Sequence, residues 1–125
     1  MAIELVHIET SEYNEAKEKI KKYTNWTEKD ILKDIYPDEH VTGTDLIFAI
    51  DNGQVIGMLN FIRGEYAQDV WVDDSHRRQG IATKMYDLAE KKTKRKLKKH
   101  PLANESAENF WKERVSSAYI IVTCF

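Results

Sequence analysis

Cysteine is all but missing from this sequence: Cys124 is the only one, so no internal disulfide and no cysteine-built metal cage can form. Histidine is sparse and badly spaced for a metal. His7, His40, His76 and His100 are scattered and no His-Glu-x-x-His pattern occurs, so no bound metal is expected. No stretch comes near the ~20 consecutive apolar residues that a membrane span needs, which removes a membrane partner from the expectations. The opening Met1-Ala2-Ile3-Glu4 places acid where a secretory signal would place base and then an apolar run. The expectation is a chain that is whole as it stands and cytoplasmic. Proline occurs twice, at Pro37 and Pro101, and both stand where a helical pattern stops.

What remains is the composition of a soluble globular protein. The 125 residues are 42% apolar and 32% charged, a balance neither disordered nor membranous. That length holds one core rather than two, so a single domain over 1–125 is expected, with all its chemistry on one scaffold. The net charge of −2 conceals a division: through Ser75 there are seven Lys and Arg against 16 Asp and Glu, and from His76 onward 12 against five. The acidic half and the basic half could serve different ligands.

Ile3, Leu5 and His7 alternate with polar neighbours between Ala2 and Glu9, the period of a strand. Thr10 or Ser11 can cap a following helix whose apolar face is Tyr13, Ala16, Ile20 and Tyr23. Thr27, with Asp30 three residues later, marks a second N-cap, and Ile31, Leu32, Ile35 and Tyr36 supply a face that Pro37 terminates. After a loop over 38–44, Leu46 to Ile50 and Gln54 to Ile62 read as strands around Asp51-Asn52-Gly53, and Asn-Gly between apolar runs is a strong hairpin signal. Arg63-Gly64 turns the chain into a third strand, Tyr66 to Val72, where Asp69 interrupts the alternation and predicts a bulge or splayed edge. Ile81, Met85, Leu88 and Ala89 then share one face of a helix reaching Lys91 or Leu97. A further helix over Ser106 to Arg114 and a buried strand over Ala118 to Cys124 complete a mixed α/β (α+β) order, β-α-α-β-β-β-α-(β)-α-β, without repeats or linkers.

The junction between the third strand and its helix carries chemistry. Arg77-Arg78-Gln79-Gly80-Ile81-Ala82 opens an amphipathic helix, and a helix start leaves amide N–H groups without partners. Pointed together, those amides and the helix dipole attract an anion, and a glycine lets the backbone approach phosphate oxygens. Arg77 and Arg78 add positive charge, and Thr83 adds a hydroxyl donor. Alone, such a turn can equally be a basic loop that caps a surface helix.

In context, Val72-Asp73-Asp74-Ser75-His76-Arg77-Arg78-Gln79-Gly80-Ile81-Ala82-Thr83 resembles the acetyl-CoA motif of the GNAT superfamily of N-acetyltransferases. That motif reads Arg or Gln, two residues, Gly, one residue, then Gly or Ala, with a strand valine five residues before the arginine. The Asn-Gly hairpin and third strand precede it in the family's order, so the resemblance covers most of the chain and implies a GNAT-like mixed sheet. It also implies that Arg77 and the amides of Arg78, Gln79, Gly80, Ile81, Ala82 and Thr83 hold the pyrophosphate of acetyl-CoA. The backbone of Val70, Trp71 and Val72 would pair with the pantetheine arm. Downstream, Asn104-x-x-Ala107-x-x-Phe110-Trp111 resembles the family's second cofactor segment, in which an aromatic pair ends in a Tyr that often protonates the departing thiolate. Here Trp111 stands in that place, and an indole cannot give up a proton. Asn104 could bond the pantetheine arm or cap the following helix. The Gly-Phe usual after this helix is absent, and one strand follows where the family commonly has two. Phe110-Trp111-Lys112-Glu113-Arg114 is similar to small acetyltransferase-like proteins of phage genomes.

By the same resemblance the reaction is direct transfer, with a neutral amine attacking the thioester carbonyl. The family's base often projects from the third strand at the positions held here by Gln68 or Tyr66, neither of which is a base near neutral pH. Glu65 and Asp69 are the nearest carboxylates and serve if a bulge turns them into the cleft; a water chain is the alternative. The acceptor of such enzymes lies near the N-terminal helices, where Asp30, Asp34, Asp38 and Glu39 favour a cationic amine: a protein lysine or N-terminus, or a small polyamine. The basic run over 91–100 could track a nucleic-acid backbone, but it lacks interleaved aromatics, and such a run is more often a solvated helix face and loop; a third use is attraction of the cofactor's 3′-phosphate and of acidic partners. Trp26, Trp71 and Trp111 read as core or cleft wall rather than a ligand cage, and Trp111 alone gains a functional role from its motif position. The missing Tyr and missing base keep a second reading open, a catalytically inactive GNAT fold that binds a macromolecule.

Overall fold

The computed structural model describes residues 3–35, 44–100, 109–112 and 114. Four antiparallel strands, β1 (Glu4–Glu9), β2 (Thr44–Asp51), β3 (Gln54–Ile62) and β4 (Ala67–Val72), lie side by side in sequence order. Helices α1 (Tyr13–Tyr23) and α2 (Glu28–Asp34) precede β2, and α3 (Ile81–Thr93) follows β4. Side chains alternate across a strand, so the middle of the sheet has two apolar faces. Ile47, Ala49, Leu59 and Phe61 pack under Ile81, Met85, Tyr86 and Ala89 of α3. Leu46, Phe48, Ile50 and Met58 pack under Ala16 and Ile20 of α1 and Ile31 and Ile35 at α2. β2 is therefore buried along nearly its whole length.

The local signals act as physical chemistry requires. Asn52 and Gly53 take φ of 52° and 76°, the paired left-handed conformations of a two-residue hairpin turn. At α2 the Thr27 hydroxyl accepts the Asp30 N–H at 3.2 Å while the Asp30 carboxylate accepts the Thr27 N–H at 2.9 Å, a reciprocal capping box. At α1 the expected cap is not made. The N-cap position is Glu12, without a side-chain cap bond, because Thr10 is drawn inward: its buried hydroxyl donates to the Thr44 carbonyl and lies 3.0 Å from the Thr44 hydroxyl. A bond across the sheet has displaced a local one.

The bulge falls where Asp69 suggested it. Val70 faces Leu59 and Asp69 faces Asn60, but the next partner, Phe61, faces Ala67, leaving Gln68 as the extra residue. α3 stops at Thr93, and Lys94 turns left-handed at φ 58°, nearer the shorter expected end. The chain then returns to bury Leu97, and Lys98 makes a single parallel bridge to Tyr66, its N–H donating to the Glu65 carbonyl at 2.6 Å. Among the described residues the bracketed strand amounts to this one bridge, and beyond it the outer edge of β4 has no strand partner.

Residues 109–112 are helical. Phe110 and Trp111 each lie 5.2 Å from the Tyr86 ring, and Arg114 bonds the Glu90 carboxylate at 2.7 Å, fixing this segment on α3. The Glu90 carboxylate also accepts the Leu97 N–H at 2.8 Å, so one acid gathers α3, the return segment and Arg114. Asn104 and the strand expected over Ala118 to Cys124 lie outside the described residues, and no described helix is long and apolar enough to cross a membrane.

Candidate active site

β4 delivers the chain to the helix through a braced corner. The Asp73 N–H bonds the Ile56 carbonyl at 2.7 Å, a 3-10 turn spans Asp74–His76, and Arg78 and Gly80 both take positive φ, 65° and 74°, before α3 begins. The first helical bond to the corner runs from the Lys84 N–H to the Gly80 carbonyl at 3.0 Å. The amides ahead of Lys84 thus have no carbonyl of their own helix to bond. Residues 77–80 are exposed, and a Cβ added at Gly80 would meet nothing within 4 Å. The mouth of α3 is open to an anion.

The two arginines divide the work. Arg77 braces the corner, its Nε donating to the Val72 carbonyl at 3.2 Å and its guanidinium pairing with Asp74 at 3.1 Å. Arg78 is exposed and makes no ion pair among the described residues, leaving its guanidinium available beside the amides.

Behind the corner sits a connection that sequence reading missed. His76 Nε2 is 2.8 Å from the Asp51 carboxylate, and its Nδ1 is 2.8 Å from the Ser75 hydroxyl and 3.6 Å from Asp73. Asp73 in turn accepts from both the hydroxyl and the N–H of Ser75. Asp51 closes β2, so the imidazole ties this corner to the β2–β3 hairpin. The Asp51 hydrogen bond leads in holding the His76 pKa above its ordinary 6.5, with Asp73 adding to it against some desolvation. A raised folded value stabilises the folded state fully below the ordinary value, and that gain is lost as pH rises through the folded one. Thermal stability is therefore expected to decline as pH climbs past 6.5, and His76→Gln to flatten that limb of a melting-temperature profile. An unchanged slope in the variant would assign the decline to other groups.

The candidate bases lie along the β3–β4 turn and the bulge of β4. Glu65 is exposed in the β3–β4 turn, and Tyr66 is half-buried at the Lys98 bridge, its ring edge 4.5 Å from the His100 ring centre to centre. Gln68 and Asp69 are exposed at the bulge. Asp69 and Trp71 lie two residues apart on the face that α1 and α2 cover, where Trp71 packs, while Val70 and Val72 take the α3 side. Trp71 also lines a cleft of about 470 Å³ with Tyr23, Trp26 and Val55, so both of these tryptophans stand in its wall. Trp111 is 9% exposed and packs in the α3 core. Its neighbour Tyr86 is pushed up to about 12 by burial, with Arg114 opposing. Asp30 is spent on the capping box, and the Thr27 N–H it accepts is the main reason its pKa lies below the ordinary range. The Asp34 side chain and Asp38 and Glu39 lie outside the described residues.

Among the described residues, the edge of β4 beyond the Lys98 bridge has no strand partner and runs into the corner where Arg78 makes no ion pair. The family model described as the Acetyltransferase (GNAT) family matches residues 3–115. The chain belongs to that family. Among solved structures, the GNAT chain is similar to a ribosomal-protein-alanine N-acetyltransferase from Brucella melitensis biovar Abortus 2308, at 14% identity over 90% of this chain and 89% of that one, with a TM-score of 0.58. It is also similar to the aminoglycoside 6'-N-acetyltransferase AAC(6')-IG from Acinetobacter haemolyticus, at 17% identity over 90% and 88% of the two chains, with a TM-score of 0.54. A third relative in fold, AAC(6')-Iy, was solved in complex with the bisubstrate analog CoA-S-monomethyl-acetylneamine; it is 15% identical over 94% and 89%, with a TM-score of 0.51. Curated protein sequences offer no match. At these identities the structural likeness speaks for the fold, and the family match for the acetyltransferase class.

Proposed function

We propose that this GNAT domain moves an acetyl group from acetyl-CoA directly to a primary amine, on a protein lysine or N-terminus or on a small cationic amine. The observation that carries the reading is the open corner at Gly80: amides ahead of the first helical bond, left-handed backbone at Arg78 and Gly80, and an Arg78 guanidinium without an ion pair among the described residues fit a diphosphate. Val70 adds to it. It is one of two large apolar side chains exposed among the described residues, and it stands on the edge of β4 that has no strand partner among those residues beyond the Lys98 bridge, where a pantetheine arm would lie. Bound there, acetyl-CoA supplies an activated thioester. The chain's own part is to hold the pyrophosphate with the amides of 78–83, to align the arm against the backbone of Val70 to Val72, and to offer an N–H of that strand to the thioester oxygen. Acceptors such as those named for the similar structures, a ribosomal protein or an aminoglycoside, share the basic amine this reading requires.

The test is release of free thiol from acetyl-CoA, with and without a panel of primary amines, together with calorimetric CoA binding. Amine-dependent release is the expected result. Tight CoA binding with no turnover on any acceptor would favour a binding module, and absence of CoA binding would end the reading.

A further inference from the structure

The positive charge at the end of α3 exceeds what the fold uses. Seven of the nine residues from Lys91 to Lys99 are Lys or Arg, and all seven are exposed. A cation in the last turn of a helix complements its dipole, and Lys91 and Lys92 already do so at α3. The other five lie past the helix end, where crowded like charges repel.

The run is also not one continuous helix face. α3 stops at Thr93, whose hydroxyl donates to the Ala89 carbonyl at 2.8 Å, and Lys94 reverses the chain in left-handed backbone. The return is then pinned by buried Leu97, by its N–H on the Glu90 carboxylate, and by the Lys98 N–H on the Glu65 carbonyl. Cations on a pinned turn lose less freedom on binding than cations on a loose tail.

Four of them converge. Lys91, Lys94, Arg95 and Lys96 line one open hollow of about 370 Å³ together with Asp87 and Glu90. Those carboxylates leave it positive, because Arg114 already holds them at 3.0 and 2.7 Å, and Lys96 comes no nearer to Glu90 than 3.9 Å. Lys91, Lys94 and Arg95 make no ion pair among the described residues. Glu65 is exposed beside the turn, but Glu4, Glu9, Glu12, Glu15 and Glu18 stand on β1 and α1, at the far edge of the sheet and across it from α3. The charge separation read in the sequence is a separation in space.

We infer that this turn docks on the phosphate backbone of duplex nucleic acid. Six of the seven cations are Lys, a compact point charge, whereas carboxylates of an acidic protein are gripped best by the planar fork of Arg. A duplex carries a charge about every 1.7 Å and a condensed counterion layer, and release of those ions drives binding to diffuse positive charge. No aromatic interrupts the run to stack on bases, so the contact is independent of base sequence. The 13 residues of α3 separate the turn from the corner at Gly80 by about 20 Å. Duplex and CoA therefore bind without competing, and the inference does not rest on the cofactor reading.

The experiment titrates the full chain into a fluorescent DNA duplex of about 20 base pairs over a series of salt concentrations. Four backbone contacts give a slope of log affinity against log salt of about −3.6, a fall of about 12-fold for each doubling of salt, whatever the base sequence. The triple variant Lys91→Gln, Lys94→Asn, Lys96→Gln, in which Asn keeps the left-handed turn, is expected to reduce the slope to about −0.9 and to melt as wild type does. Lys91→Gln alone removes about 0.9 from the slope, so the test survives a triple variant that fails to fold. A second triple, Lys19→Gln, Lys29→Gln, Lys33→Gln, takes the same charge from α1 and α2 and is expected to keep the wild-type slope. Equal losses in the two triples would make net charge the cause and overturn the inference. A salt-independent affinity or displacement of the duplex by CoA would do the same, and poly-glutamate of matched charge bound as tightly would replace nucleic acid with an acidic protein.

Discussion

Gly80→Glu is expected to weaken CoA binding by about 100-fold, or about 2.7 kcal/mol, in a protein that still folds. Gly80 opens α3 at φ 74°, and the space a Cβ would enter there is empty to 4 Å, so the longer side chain has room. What changes is the field. A helix start is worth up to about 2 kcal/mol to an anion in a favourable, partly buried geometry, and a carboxylate in the same place turns that attraction into repulsion against two phosphates. The substitution also forces a residue with a Cβ into left-handed backbone, which costs about 1–2 kcal/mol. Gly80→Asn separates the two effects, because Asn tolerates that conformation and carries no charge. The Asn variant is expected to bind CoA near wild-type strength, and the Glu variant is expected to melt cooperatively. Calorimetric titration of both decides it: an affinity untouched in Gly80→Glu would remove the pyrophosphate from this corner.

The corner was legible in the sequence because each of its requirements is local. Arginine, glycine and a helix start need only neighbours in the chain, and so do the Asn52-Gly53 turn and the Thr27–Asp30 capping box. Asp69 announced its bulge by breaking a two-residue alternation. The features that escaped are those in which distant segments compete for a side chain. Thr10 has the composition of a helix cap, yet the Thr44 carbonyl across the sheet takes its hydroxyl. His76 has no metal-ligand spacing and looked idle; its partner Asp51 is 25 residues away and becomes its neighbour only when the hairpin folds against the corner.

Stability and the proposed cofactor binding are expected to separate, because their anchors lie at opposite ends of β2. Asp45, 2% exposed near its start, accepts two bonds from Arg63, 3.1 Å from Nε and 2.9 Å from the terminal nitrogen, and lies 2.6 Å from His7 Nε2. One carboxylate thereby joins β1, β2 and the end of β3. Burial would raise its pKa, but the His7 and Arg63 hydrogen bonds outweigh that and hold it below the ordinary 3.8. Removing one member of a buried ionic group costs about 3–5 kcal/mol. Arg63 is 43% exposed and can turn to water, so Asp45→Ala is expected to cost about 2–3 kcal/mol, read by urea unfolding. The depressed folded value fixes the pH dependence: the contribution is complete above 3.8 and disappears as pH falls through the lower folded value. Wild-type protein should lose this stability in acid, and Asp45→Asn should have little left to lose there. The strand from Asp45 to the Asp51–His76 tie is about 20 Å long. Below its melting temperature, Asp45→Ala is therefore expected to bind CoA as wild type does. A parallel loss of CoA affinity would mean that the phosphate corner depends on the whole sheet rather than on its own amides and braces.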